Sequence, residues 1–243
     1  DDLGTSEVSI SLPSGLTSTV TVEENSLIAQ DWTSLELKGD LSYQTWAVST
    51  FGNGLFVVLA NSYETSVMSS ADGVNWVVGD LEHQDWSSVA YGNGRYVAVS
   101  TDGYASYSEN GINWSSPAFL EDSDWKDVAF GNGLFVVIAS YYDDYAVMVS
   151  EDGENWTVPG TLINDYWVSI TYGGGQFLAV SEYGNVMVSS DGQDWLLFTD
   201  AMESSSVNGL AYGNGKYVVC SDDSGEELYG KIWSSTNGVN WTE

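Results

Sequence analysis

The chain has 243 residues, with 35 Asp or Glu against 5 Lys or Arg and a formal net charge of −30. Phosphate recognition draws its affinity from clustered Lys and Arg, so nucleic acid is disfavoured as a partner, and an anionic membrane surface for the same reason. No run approaches the roughly 18 consecutive apolar residues of a membrane-spanning helix, which argues against membrane insertion, and a single cysteine, Cys220, rules out an intramolecular disulfide.

Such acidity fits a surface kept hydrated and soluble, above all in salty water where repulsion is screened. The first residues, Asp1-Asp2-Leu3-Gly4, carry no signal-peptide pattern, and residues 1–16 read as an N-terminal arm or attachment segment. Strand-like runs lie at Glu7 to Leu12 and Thr19 to Val22, then at Leu27 to Leu37, where Asp31-Trp32 echoes a motif repeated later.

From residue 46 the chain repeats itself, in units 46–85, 86–124, 125–166, 167–206 and 207–243. Four units open on a tryptophan: Trp46, Trp86, Trp125 and Trp167. Every unit has an aromatic before a glycine turn: Gly52-Asn53-Gly54, Gly92-Asn93-Gly94, Gly131-Asn132-Gly133, Gly173-Gly174-Gly175 and Gly213-Asn214-Gly215. A hydrophobic run follows, then Ser-x-[Asp/Asn]-Gly-x-[Asn/Asp]-Trp, at Ser70–Trp76, Ser108–Trp114, Ser150–Trp156, Ser189–Trp195 and Ser235–Trp241. A period of about 40 residues with several short strands per unit is that of propeller blades.

In the second unit, Trp86 to Tyr91 and Arg95 to Ser100 form a tight hairpin, with a third run at Ala105 to Ser108 and a fourth beginning at Ile112. Each unit therefore reads as four antiparallel strands, A to D. No apolar helical face persists anywhere, so the expectation is an all-β propeller of five or six blades. Residues 17–45 are assigned to ring closure, as strands completing the fifth unit or as an atypical sixth blade. Cys220, in the run Lys216 to Cys220, reads as a small buried hydrophobe.

The repeated box has a mechanical meaning. The side-chain oxygen of Asp72, Asn110, Asp152, Asp191 or Asn237 bonds backbone amides of its own turn, the following glycine takes a left-handed conformation, and Trp76, Trp114, Trp156, Trp195 or Trp241 packs between blades. On these residues the chain resembles the Asp-box (BNR-like) β-propeller repeats over residues 46–243. The box here is one residue shorter than the family's Ser-x-Asp-x-Gly-x-Thr-Trp and lacks its Thr. The repeats are also similar to those of tailed-phage tail or adhesin proteins and bacterial surface proteins. The resemblance implies the fold, whereas activity differs widely among proteins that share it.

Strand alternation puts the A–B and C–D turns on one face and the B–C and D–A loops on the other. The second face receives the irregular segments, as expected of functional loops on a rigid scaffold. Tyr63, Tyr104, Tyr142 with Asp143 and Asp144, Tyr183 and Tyr229 all lie there beside acids. Tyrosine faces stack on sugar rings and carboxylates accept sugar hydroxyls, so these residues are the candidate glycan-binding set. The acidic groupings Asp143-Asp144, Asp222-Asp223 and Glu226-Glu227 offer oxygens to Ca²⁺ but lack EF-hand spacing, and a solvated surface explains them better; no cofactor and no other metal is expected.

A sialidase, which the resemblance would imply on the enzymatic side, clamps its substrate with three arginines, and this chain has one, Arg95. His83 is the sole histidine and no Gly-x-Ser-x-Gly elbow accompanies it, leaving paired-carboxylate glycoside hydrolysis as the remote catalytic alternative. Two expectations compete. One is a non-enzymatic adhesin, extracellular or on a virion surface, binding glycans through the loop face. The other is a structural or decoration protein of a virion or surface assembly, whose partners are other proteins of that assembly.

Overall fold

The computed structural model describes residues 5–11, 17–23, 45–61, 66–140, 146–160, 163–202, 206–222 and 230–243. The chain divides into two compact units, Asp1–Leu37 and Lys38–Glu243. In the first, β1 (Thr5–Ser11) and β2 (Thr17–Glu23) pair antiparallel, Thr5 opposite Glu23 and Ser11 opposite Thr17. The ring-closing segment expected at 17–45 falls largely on residues 24–44, outside the described residues.

The second unit is a series of five antiparallel meanders. They are β3 (Trp46–Gly52), β4 (Leu55–Ala60), β5 (Val67–Ser70) and β6 (Val77–Val78); β7 (Trp86–Gly92), β8 (Arg95–Ser100), β9 (Tyr104–Ser108) and β10 (Ala118–Phe119). The third has β11 (Trp125–Gly131), β12 (Leu134–Ala139) and β13 (Val147–Ser150), and the fourth β14 (Trp167–Gly173), β15 (Gln176–Ser181), β16 (Val186–Ser189) and β17 (Leu196–Phe198). The fifth has β18 (Val207–Gly213), β19 (Lys216–Ser221) and β20 (Lys231–Ser235). In the third and fifth the outermost strand is reduced to one bridge each, Val149 with Thr157 and Ser234 with Thr242.

The glycine turns are tight hairpins: Asn53 and Gly54 sit at φ 48° and 77°, and Gly174 and Gly175 at 61° and 85°, so both central residues are left-handed as a type I′ turn demands. The fourth strand starts later than the sequence pattern suggested, at Ala118 rather than Ile112. The amides of Ile112 and Asn113 are already bonded to Asn110 Oδ1, at 3.0 and 2.8 Å, and so belong to the turn.

Neighbouring blades share their cores. Leu59 and Val67 of the first pack with Trp86 and Tyr96 of the second. Trp125 and Phe135 join the second to the third, Trp167 and Phe177 the third to the fourth, and Tyr217 with Val219 the fourth to the fifth. The opening strands pack in sequence, β3 on β7, β7 on β11, β11 on β14 and β14 on β18. No packing of that extent joins β18 to β3.

Two glycine contacts recur at every joint. A Cβ on Gly52, Gly92, Gly131 or Gly173 would lie 2.1, 2.0, 1.9 or 2.1 Å from the ring of Tyr91, Phe130, Tyr172 or Tyr212, so the aromatic before each turn sits in a socket on the preceding blade. In the reverse direction, Gly111, Gly153, Gly192 and Gly238 of the boxes seat the branched side chains Val57, Val97, Val136 and Leu178. Only glycine leaves room for the ring contacts and for those at Gly111, Gly153 and Gly238, while a Cβ on Gly192 would be crowded at 3.3 Å from Val136. At the ends the pattern stops: nothing among the described residues lies within 4 Å of a Cβ on Gly213 or Gly73.

This ending overturns the expected burial of Cys220, whose thiol is exposed. Its counterparts Leu59, Val99, Ile138 and Val180 are fully buried because each faces the following blade. Cys220 has no following blade among the described residues.

Candidate functional site

The face of turns and boxes is chemically committed. Ser70 Oγ accepts the amides of Asp72 and Gly73 at 3.3 and 2.9 Å and donates to Asp72 Oδ1 at 3.1 Å. Asp72 Oδ1 in turn accepts the amides of Val74 and Asn75 at 2.8 and 2.7 Å, and Oδ2 accepts Asn75 Nδ2 at 2.8 Å. The same Ser–Asp/Asn turn forms at Asn110, Asp152, Asp191 and Asn237. The indoles of Trp76, Trp156, Trp195 and Trp241 close it by donating to the box glycine carbonyl at 3.1, 3.2, 3.1 and 3.1 Å. Trp114 instead is held by its backbone amide on Asp80 Oδ1, at 2.7 Å.

These bonds favour the ionised carboxylate. The backbone and side-chain amides of Asn75, then Val74, hold Asp72 well below the usual carboxylate range. Asp191 is lowered by the amides of Asp194 and Gln193. At Asp152 burial pulls the other way but is outweighed by the amides of Asn155 and Glu154. A groove of about 270 Å³ beside the third box is lined by Asp152 and Asn155, which are bonded to each other at 2.9 Å.

Arg95 is committed to this face as well. Its Nη1 donates to Asp152 O at 2.9 Å, its guanidinium stands 4.4 Å above the Tyr107 ring, and Glu109 and Glu154 lie 3.6 and 3.7 Å away. It serves the joint between the second and third blades, and no arginine clamp exists.

The loop face carries the described candidates. Tyr104 packs edge-on against Phe119 at 5.3 Å between ring centres, and Phe119 is exposed. Tyr183, 48% exposed, stands edge-on to Tyr166 at 5.4 Å with the rings at 88°. Around that pair, Asn185 Nδ2 donates to Asp165 Oδ2 at 2.8 Å, and Asn185 Oδ1 accepts the amide of Asp200 at 2.9 Å. The B–C loop is thereby fastened to the D–A loops on both sides of the fourth blade. Tyr166 and Phe119 were not singled out from the sequence, since Tyr166 lies in a D–A segment and Phe119 on β10, and only the fold brings each to its partner. Tyr63, Tyr142, Asp143, Asp144 and Tyr229 lie outside the described residues, as do Asp223, Glu226 and Glu227 of the Ca²⁺ groupings. Among the described residues no group of three or more metal-ligating side chains forms.

One further carboxylate lies inside the stack. Asp127 on β11 accepts Ser88 Oγ of the second blade at 2.6 Å and its own neighbour's amide, Val128, at 2.9 Å. Its other oxygen accepts Ser169 Oγ and the Ile170 amide of the fourth blade, both at 2.9 Å. Burial pushes the Asp127 carboxyl up, against the pull of these four donors. A single side chain therefore ties three successive blades.

No protein-family model matches the chain, and no curated protein does. Among solved structures it is similar to β-propellers. "YCF48 bound to D1 peptide" shares 16% identity with TM-score 0.60, over 87% of this chain and 70% of that one. The Pan2 WD40 domain of Neurospora crassa shares 10% with TM-score 0.60, over 82% and 65%. Virginiamycin B lyase of Staphylococcus aureus shares 13% with TM-score 0.66, over 82% and 69%. These likenesses establish the β-propeller fold. An enzyme stands among them, so activity does not follow from the fold.

Proposed function

We propose that the protein is a non-enzymatic recognition propeller, an adhesin of a cell surface or a phage virion, that binds glycans through its loop face. The observation that carries the reading is the Tyr183–Tyr166 pair, an exposed ring braced by a second and bordered by the Asp165–Asn185 hydrogen bond. An exposed aromatic held rigid offers a stacking surface at little entropic cost, and flanking carboxylates and amides offer acceptors and donors for hydroxyl groups. The opposite face supports the assignment by contrast, because the same box turn recurs there in all five blades, whereas the loops differ from blade to blade. The extracellular or virion-surface location is part of this proposal and accords with the acidic, disulfide-free composition.

A second reading is favoured by one neighbour, YCF48, whose structure holds a peptide: the loop face binds protein, and the molecule is a component of a virion or surface assembly. A glycan array separates the two. Saturable binding to defined glycans that falls at least tenfold in Tyr183→Ala supports the first, while silence across the array together with ordered incorporation into particles supports the second.

A further inference from the structure

The two ends of the blade series present opposite halves of one interface. On the last blade Val218 and Ile232 are 41% and 66% exposed and Cys220 is exposed beside them. Their counterparts on the first four blades, Val57, Val97, Val136 and Leu178 for Val218 and Val67, Ala105, Val147 and Val186 for Ile232, are buried. The Gly213 socket is likewise unfilled among the described residues, whereas its four counterparts each hold an aromatic ring. On the first blade the reverse set is free: Phe51 and Phe56 are 59% and 40% exposed, and the Gly73 socket holds no branched side chain among the described residues.

What covers such a face is visible four times within the molecule. Each inner joint supplies an aromatic before the turn for the socket, a box glycine for the branched residue of the second strand, and an opening tryptophan or valine for the shared core. We propose that the face formed by Gly213, Val218, Cys220 and Ile232 docks one further module of this same repeat, supplied by polypeptide outside residues 46–243. The occupant is defined by its chemistry: an aromatic directly before a Gly-x-Gly turn, and a Ser-x-[Asp/Asn]-Gly box whose glycine meets Val218. The first blade of a second copy carries the same elements, but two chains each of net charge −30 repel, which disfavours that occupant.

Cys220 is the only cysteine and lies at the centre of the face, so its thiol reports coverage directly. The test joins a copy of residues 86–124, which contains no cysteine, to Glu243 of the full chain through a copy of the 115–124 connection. Thiol alkylation under native conditions is expected to slow at least tenfold relative to the unextended chain. Changing the appended copy's socket-filling aromatic (Tyr91→Ala in that copy) is expected to restore most of the rate, while the resident Tyr91 is left intact. Equal alkylation with and without the module would overturn the proposal. So would a thiol already protected in the unextended chain, independently of concentration, because the face would then be covered from within. Protection that rises with protein concentration would assign the face to a second copy instead.

Discussion

The box carboxylates are held ionised by the turn they organise, which gives them a measurable signature. Asp72, Asp152 and Asp191 have folded pKa values below the ordinary value of about 3.9. A lowered carboxyl contributes stability that is fully present above its unfolded pKa and is lost as pH falls through its folded value. Asn110 and Asn237 make the same amide bonds without titrating. Replacing all three aspartates by asparagine is therefore expected to lessen the stability lost between about pH 5 and pH 2, read as the shift in urea midpoint. Asp127 has the opposite sign: its raised pKa means that ionisation of this side chain works against the fold as pH rises. Asp127→Asn nevertheless is expected to destabilise at neutral pH by about 1–3 kcal/mol, because its amide nitrogen would face the Ile170 N–H where an acceptor is required. Urea unfolding at pH 7 checks it, and a stability equal to wild type would show that the side chain does not need both acceptors.

At the scale of the blade, the joints predict which glycines matter. Gly173→Ala would set a Cβ 2.1 Å from the Tyr212 ring, an overpacking expected to cost about 1–3 kcal/mol. Gly213→Ala occupies the same place in its turn, meets nothing among the described residues, and is expected to change stability by less than about 0.5 kcal/mol. Thermal unfolding of the two variants side by side decides the matter. The turns and boxes that build these blades were legible in the sequence, because each depends on a few residues at fixed spacing whose backbone conformation follows from their chemistry. The exposure of Cys220 was not legible, since its strand reads like the others and its surroundings depend on what lies beyond the blade. Asp127 leaves a trace in the sequence: the second position after the opening tryptophan turns polar in three successive units, Ser88, Asp127 and Ser169. The pairing of Tyr166 with Tyr183 left none, because two loop residues seventeen positions apart meet only once the sheet is folded.

For the molecule as a whole, a net charge of −30 on 243 residues makes self-repulsion a property of the folded state. Raising NaCl from about 10 to 150 mM shortens the Debye length from about 30 to 8 Å and is expected to raise the unfolding temperature. An unfolding temperature independent of salt would mean that the charges are spaced widely enough to be screened by water alone. Function was only partly legible at this scale: the sequence separates a constant face from a variable one, and chemistry then excludes the arginine clamp, but the identity of a ligand is written in loop geometry. The carboxylate shared by the second, third and fourth modules also bears on how such a protein can grow. Tandem duplication that inserted or permuted units within that trio would separate Asp127 from Ser88 or from Ser169 and the Ile170 amide, leaving a buried carboxyl without its donors. Lengthening the array at its two outer ends leaves these partners in place, whereas insertion within the trio does not.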